Sequence, residues 1–270
     1  MIDIRKEILK GIRNKQFEAR ITVDREGVVV GTLEAAKQLK HLALDYEFCV
    51  HDGDAVDSGD TICTLKGFSE NLIMAEETVI GRMAKASGVA TAAFKAVKLA
   101  DDKGRIVAGA WKKMPNEMKR SIQQTVGIVG ASTRMIEMPF VYLDKNYIQM
   151  LGGISEALYA VKAMEGLKKV VQLKGKYMSI DAEARTAVEA GADILMVDTG
   201  RLDDLKIVKQ YLETLPNTTV QVGFASDLKI AEIPTYLECG ADFLCFGKEI
   251  IDAPLLDMKL DVISEVSNAV

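Results

Sequence analysis

The chain has 270 residues, 49% of them hydrophobic and 27% charged, which is enough to bury a full core in one large domain or two unequal ones. A net charge of −5, from 34 basic and 39 acidic residues, argues against a broadly basic nucleic-acid surface, and no apolar run has the length needed to span a bilayer. The first residues are charged and amphipathic without the apolar centre of a signal peptide, so a cytoplasmic, non-membrane protein is expected.

In chain order, residues 2–17 predict a helix with Ile4, Ile8, Leu9 and Ile12 on one face. Short β-prone pieces follow at 19–23, 27–32, 47–50 and 61–66, interrupted by a helical segment at 33–41 and punctuated by glycine and aspartate. Residues 71–87 carry helical spacing at Leu72, Ala75, Val79, Met83 and Ala86, with Gly88 as the expected stop and a second helix over 90–103. Beyond Gly104 the texture changes. Apolar runs at 105–110, 140–143, 169–173, 194–197, 219–222 and 243–246 alternate with helical stretches at 117–125, 152–164, 180–190, 202–215 and 230–239. Such alternation predicts parallel βαβ units, and six of them suit an α/β barrel, incomplete relative to eight-stranded TIM barrels. An open doubly wound sheet is the alternative, although no Gly-x-Gly-x-x-Gly follows the first strand. The tail, 255–263, predicts a strand that returns to the N-terminal domain.

His41 and His51 are the only histidines, so a zinc site or a histidine-based triad lacks its ligands or base. The cysteines at 49, 63, 239 and 245 form no Cys-x-x-Cys pair and read as reduced thiols. Chemistry must rest on Lys, Arg, Asp, Glu, Tyr or backbone. In a barrel it sits at the C-terminal strand ends. Those positions hold Trp111, Lys112 and Lys113; Asp144, Lys145 and Asn146; Lys174 and Lys176; Asp198 and Thr199; Gly223, Ala225 and Ser226; and Gly247 with Lys248. Lysine follows four of the six strands in an acidic protein, a pattern suited to a multiply phosphorylated ligand, although single surface lysines are usually only hydrated. Gly223 and Gly247 either bind phosphate through backbone N–H groups or merely make tight turns. Asp198 either faces ribose hydroxyls and developing positive charge or caps the next helix. Trp111 either stacks on a flat ring or packs.

The segment 53–91 resembles the one that joins the two domains of the quinolinate phosphoribosyltransferases, the nicotinate-nucleotide pyrophosphorylases. Asp52-Gly53, Gly59-Asp60, Gly67, Ala75-Glu76-Glu77-Thr78 and Ser87-Gly88-Val89-Ala90-Thr91 carry the likeness. The second half is similar to the same family. Lys112 falls on its donor-contacting lysine, Thr133-Arg134 on its His-Arg pair, and Gln172 on a strand glutamate. Asp198 falls on the aspartate of its Leu-Asp-Asn, Gly223-Phe224-Ala225 on its Ser-Gly-Gly phosphate turn, and Gly247 on its strand glycine. Lys145 stands one place from the family's lysine, and Trp111 and Glu77 replace arginines that hold the dicarboxylate substrate, the second of them supplied by a partner subunit.

The resemblance implies an α/β protein with an N-terminal sandwich-like domain over 1–103, joined by the tail 255–270, and a barrel domain over 104–254. It implies a homodimer with a shared active site. The implied reaction joins a nitrogen heterocycle to 5-phosphoribosyl 1-diphosphate with Mg²⁺ and no protein-held metal cluster. Lys112 and Asp198 are the expected catalytic residues. Trp111, Lys113, Arg134, Lys145, Gln172, Lys174 and Glu77 would meet substrate, and Gly223, Ala225, Gly247 and Lys248 would meet phosphate. Because the replacements fall on positions that read the acid, a ring less acidic than quinolinate is expected. A catalytically inactive relative that binds a phosphorylated metabolite or a protein is the alternative.

Overall fold

The computed structural model describes residues 4–176 and 178–266, which group into two compact units. The first comprises 1–94, 116–129 and 253–270, and the second 95–115 and 130–252. The helix Asn116–Ile128 therefore groups with the first unit, whereas the sequence pattern put it in the barrel.

In the first unit, an antiparallel sheet runs in the order Met258–Glu265, Gln16–Val23, Thr61–Phe68, Asp45–Phe48. The tail does return, pairing Met258 with Val23 and Phe17 with Glu265. One sheet face is apolar at every second residue (Ala19, Ile21, Val23) and packs on Leu72, Ala75, Val79 and Met83 of a long helix and on Ala35 and Leu39 of the helix Thr32–His41. A core of this kind is the main source of stability, each buried Leu or Val contributing about 1.5–3 kcal/mol. Asp52 starts the helix Thr32–His41 by accepting hydrogen bonds from the Gly31 and Thr32 N–H groups at 2.9 and 2.8 Å.

Two expectations fail here. The N-terminal helix is only Ile4–Ile8, followed by a 3₁₀ turn Lys10–Ile12, because the chain enters the sheet at Gln16; Ile4 and Ile8 stay exposed. The predicted pair of helices around Gly88 is one helix, Ser69–Ala100. Gly88 is not a stop. A Cβ there would collide with the Pro254 carbonyl oxygen and come within 2.7 Å of Leu255 Cα, so the glycine admits a crossing backbone. The neighbouring hydroxyls supply partners to the edge of the short strand Gly27–Val28 that faces away from Ala55–Val56: Ser87 Oγ accepts from the Val30 N–H at 3.0 Å and Thr91 Oγ1 from the Val28 N–H at 2.9 Å.

The second unit is a six-stranded parallel sheet. Its order is Arg105–Ala108, Phe243–Phe246, Gln221–Ala225, Ile194–Val197, Lys168–Leu173, Phe140–Leu143. The first strand pairs with the last, and the others follow in sequence to the second, so the sheet is singly wound. That is a barrel open between its first two strands, and it rules out the doubly wound alternative, whose order reverses partway. Ser132 occupies the edge of the opening, donating to the Ile106 carbonyl and accepting from the Ala108 N–H, both at 2.8 Å. Val107, Val170, Ile194, Met196 and Phe243 fill the interior. All four residues of Ile194–Val197 are buried, as a strand covered on both faces requires.

Three boundaries differ from the pattern. The fifth strand runs Gln221–Ala225, so Gly223 lies within it and not after it; a Cβ there would strike the Phe243 ring and approach Met196 Cε at 2.8 Å. The expected 152–164 helix is Ile154–Ala160, preceded by a separate helix Lys145–Leu151 that ends at left-handed Gly152. The 230–239 segment is a 3₁₀ turn and then a helix with proline in its first turn.

Candidate active site

The C-terminal ends of five of the six barrel strands line one cavity of about 530 Å³. Lys112 and Lys113 come from beyond the first strand, Lys174 from the third, Asp198 from the fourth, Ala225 through Lys229 from the fifth, and Cys245 through Glu249 from the sixth. Five lysines (112, 113, 174, 229, 248) face three acids (Asp198, Asp227, Glu249), leaving two positive charges in excess. Lys229 is paired with Glu249 at 2.9 Å and Lys174 with Asp198 at 3.5 Å. Among the described residues Lys112, Lys113 and Lys248 have no ion-pair partner, so their charge is open to a ligand.

The backbone at the mouth is unusual. Ala110, Ser226 and Asp227 are non-glycine residues with φ of 63°, 85° and 51°, a conformation held only when the surroundings demand it. The Gly200 N–H donates to the Ala225 carbonyl at 3.0 Å and fixes the loop that follows. Gly247 opens the helix Lys248–Ile251, and a Cβ on it would sit 3.3 Å from that of Ala110.

Asp198 is not a helix cap. The next helix begins after Arg201, and the Arg201 N–H donates to Thr199 Oγ1 at 3.2 Å. The Asp198 carboxylate instead accepts a short hydrogen bond from Gln172 Nε2, and the Lys174 ammonium donates to the Asp198 carbonyl. Gln172 Oε1 accepts from the Lys145 N–H at 2.6 Å. Buried Glu183 takes the N–H groups of Lys174, Gly175 and Lys176 at 2.8, 2.8 and 3.1 Å, and so shapes the loop that carries Lys174. Burial, reinforced by Asp198, pushes the Cys245 thiol up to about 12, and it raises the Tyr142 phenol still further. Both stay neutral around Asp198 at physiological pH.

The structure thus brings together Lys112, Lys113, Lys174, Asp198, Ala225, Gly247 and Lys248 of the expected residues, with Gln172 directly behind Asp198. The others lie elsewhere. Gly223 is interior packing. Trp111 donates its indole N–H to the Thr133 carbonyl at 3.4 Å and does not line the cavity. The Arg134 guanidinium lies over the Phe140 ring at 5.7 Å. Lys145 is exposed at the start of a helix capped by Asp144. Glu77, in the first unit, pairs with Arg5 at 2.7 Å. Sequence reasoning missed Asp227 and Lys229, which became visible only once the fifth strand was extended to Ala225, Glu249, one residue past Lys248, and Glu183, whose position within a helix gave no signal.

These features define a class, an open TIM-like α/β barrel with a cationic mouth. The model of quinolinate phosphoribosyl transferase, N-terminal domain, matches residues 3–87, and that of its C-terminal domain matches residues 89–261. The chain belongs to the quinolinate phosphoribosyl transferase family. It is 26% identical over 254 residues to the probable nicotinate-nucleotide pyrophosphorylase (carboxylating) of Methanothermobacter thermautotrophicus, covering 93% of this chain and 90% of the relative. To the nicotinate-nucleotide pyrophosphorylase (carboxylating) of Rattus norvegicus it is 25% identical over 209 residues, 76% of this chain and 68% of the relative. The crystal structure of nicotinate-nucleotide pyrophosphorylase from Pyrococcus furiosus shares the fold with a TM-score of 0.84 at 21% identity, over 97% of this chain and 73% of that one.

Proposed function

We propose that the protein is a phosphoribosyltransferase that joins a nitrogen heterocycle to 5-phosphoribosyl 1-diphosphate and releases pyrophosphate. One observation carries this reading. Lys112, Lys113 and Lys248, unpaired among the described residues, share a cavity with Asp198, a carboxylate that Gln172 holds in place. The lysines and the N–H groups opening the helix after Gly247 would hold the phosphates. Asp198 would face the ribose carbon from which diphosphate departs and to which the ring nitrogen bonds, stabilising the positive charge that develops there. Catalysis is then positioning and electrostatics, with no covalent intermediate on the chain.

Mg²⁺ is part of this reading. Among the described residues no group of three or more His, Cys, Asp or Glu side chains is placed to hold a metal ion. The residues fit an ion carried on the diphosphate, with Asp227 as the nearby carboxylate on the lining, since Mg²⁺ commonly takes one or two carboxylates plus phosphate oxygens. Bound there, it would neutralise charge on the leaving group.

For the acceptor we propose a ring with fewer carboxylates than quinolinate. The positions where the family holds the dicarboxylate carry Glu77, already paired with Arg5, and Trp111, committed to Thr133. A homodimer in the cytoplasm belongs to the same reading, testable by light scattering and fractionation; no described helix is long and apolar enough to cross a membrane.

The test is thermal stabilisation by the donor with Mg²⁺, alone and with a panel of pyridines and azoles. A rise with the donor that Lys112→Ala abolishes is expected. No rise in the wild type overturns the reading. Turnover of quinolinate with carbon dioxide release, in preference to every other ring, would overturn the acceptor proposal alone.

A further inference from the structure

Asp198 lines the cavity with one carboxylate oxygen engaged and the other not. Oδ2 receives Gln172 Nε2 and lies 3.5 Å from the Lys174 ammonium, whereas Oδ1 has no partner among the described residues. Gln172 is buried, and its amide has one possible orientation. The Lys145 backbone N–H, 2.6 Å from Oε1, demands an acceptor at that end, so the NH₂ end must point to Asp198. The other groups around Asp198 cannot do this work. Tyr142 and Cys245 are half-buried neutral groups that make no hydrogen bond to it among the described residues, and the Lys174 ammonium, on a flexible stem, donates instead to the Asp198 carbonyl.

We propose that Gln172 is a positioning residue: by holding Oδ2 from behind, it turns Asp198 so that Oδ1 is the oxygen presented to the ligand. The proposal rests on the phosphoribosyltransferase reading for its catalytic consequence, though not for the contact itself. The chain of contacts runs from the backbone of Lys145, through the Gln172 amide, to a carboxylate on the cavity wall, so the start of one helix sets the geometry at the end of another strand. A relay of this kind acts on the chemical step and leaves the lysines that would hold phosphate untouched.

Two readouts test it. In the ligand-free protein with ¹⁵N-labelled glutamine, the side-chain amide signal of Gln172, assigned by its loss in Gln172→Leu, should move in Asp198→Asn. An unmoved signal overturns the proposal whether or not the protein is a transferase. In turnover, Gln172→Leu should lower kcat about ten- to a hundredfold, the loss of one hydrogen bond to a charged group, with the KM for the donor nearly unchanged. Gln172→Glu sets a second carboxylate against Asp198, and two carboxylates that close share a proton. Its pH–rate profile should gain an acidic limb displaced toward neutrality, which a merely structural glutamine would not produce. An unchanged kcat in Gln172→Leu, or a wild-type profile in Gln172→Glu, overturns the proposal. Absence of donor binding in the wild type would instead remove the functional reading, and the amide signal would still decide the contact.

Discussion

The two sides of the barrel mouth are built differently. On the side of the first, fifth and sixth strands, Lys112, Lys113 and Lys248 are left unpaired among the described residues, and Ala110, Ser226 and Asp227 hold left-handed backbone. On the side of the second and third strands, polar groups are consumed internally: Asp144 caps a helix, Gln172 links Lys145 to Asp198, and Glu183 takes three backbone N–H groups. The first side is organised to meet a ligand, and the second to hold Asp198 and Lys174 still. Hydrated charge with no protein partner remains available to a ligand, whereas satisfied networks make a wall rigid.

If this division is right, the largest effect belongs to Asp198, the point where the two sides meet. Asp198→Ala should lower kcat/KM about a hundred- to a thousandfold in a steady-state assay. Next comes the supporting side. Glu183→Ala removes the shared acceptor of three part-buried N–H groups that water can partly re-solvate, so denaturant unfolding should show a loss of about 2 kcal/mol. On the ligand side, Lys248→Ala should weaken donor binding about ten- to a hundredfold by calorimetry while melting changes little. A melting loss without an affinity loss would break the comparison. Ser226→Gly relieves left-handed strain and should raise stability by about 1 kcal/mol, with lower turnover if that strain orients the loop.

The smallest effect is electrostatic. The hydrogen bond from Lys229, followed by burial acting the opposite way, holds Glu249 below the usual carboxylate range, and Glu249 in turn holds Lys229 above its ordinary value. A depressed carboxylate stabilises above its unfolded value of 4.5 and loses that contribution as pH falls through the folded one. A raised lysine stabilises below 10.5 and loses its contribution as pH rises past the folded value. The pair's contribution to melting temperature should therefore be flat between these limits, and Glu249→Gln should lessen the slight acid-side fall without abolishing it, because Asp193, against the upward pull of its burial, is also held low by Lys168.

The barrel was legible because unbroken apolar runs alternating with amphipathic stretches leave few other folds. The mouth was legible in part because function follows strand ends. Lys112, Asp198 and Gly247 could be placed by counting, while Gly223 could not, since a glycine in a strand and a glycine after one look alike until Phe243 is seen beside it. Gly88 misled in the same way, as close backbone packing and helix termination select the same residue. Trp111 stands at a strand end by sequence and Arg134 falls on the family's His-Arg pair, yet their side chains are taken by Thr133 and Phe140.

By itself, then, the sequence determined the six barrel strands in alternation with helices, the strand in the returning tail and the family's outline. These depend on local periodicity and residue type, which a linear chain carries. Only the tertiary structure decided which lysines remain unpaired, that Asp198 is held by Gln172 and does not cap a helix, and that Glu77 is matched by Arg5. Those facts depend on which groups meet across 26 or 72 positions of chain, and a side chain's charge becomes available to a ligand only after every nearer partner has been excluded.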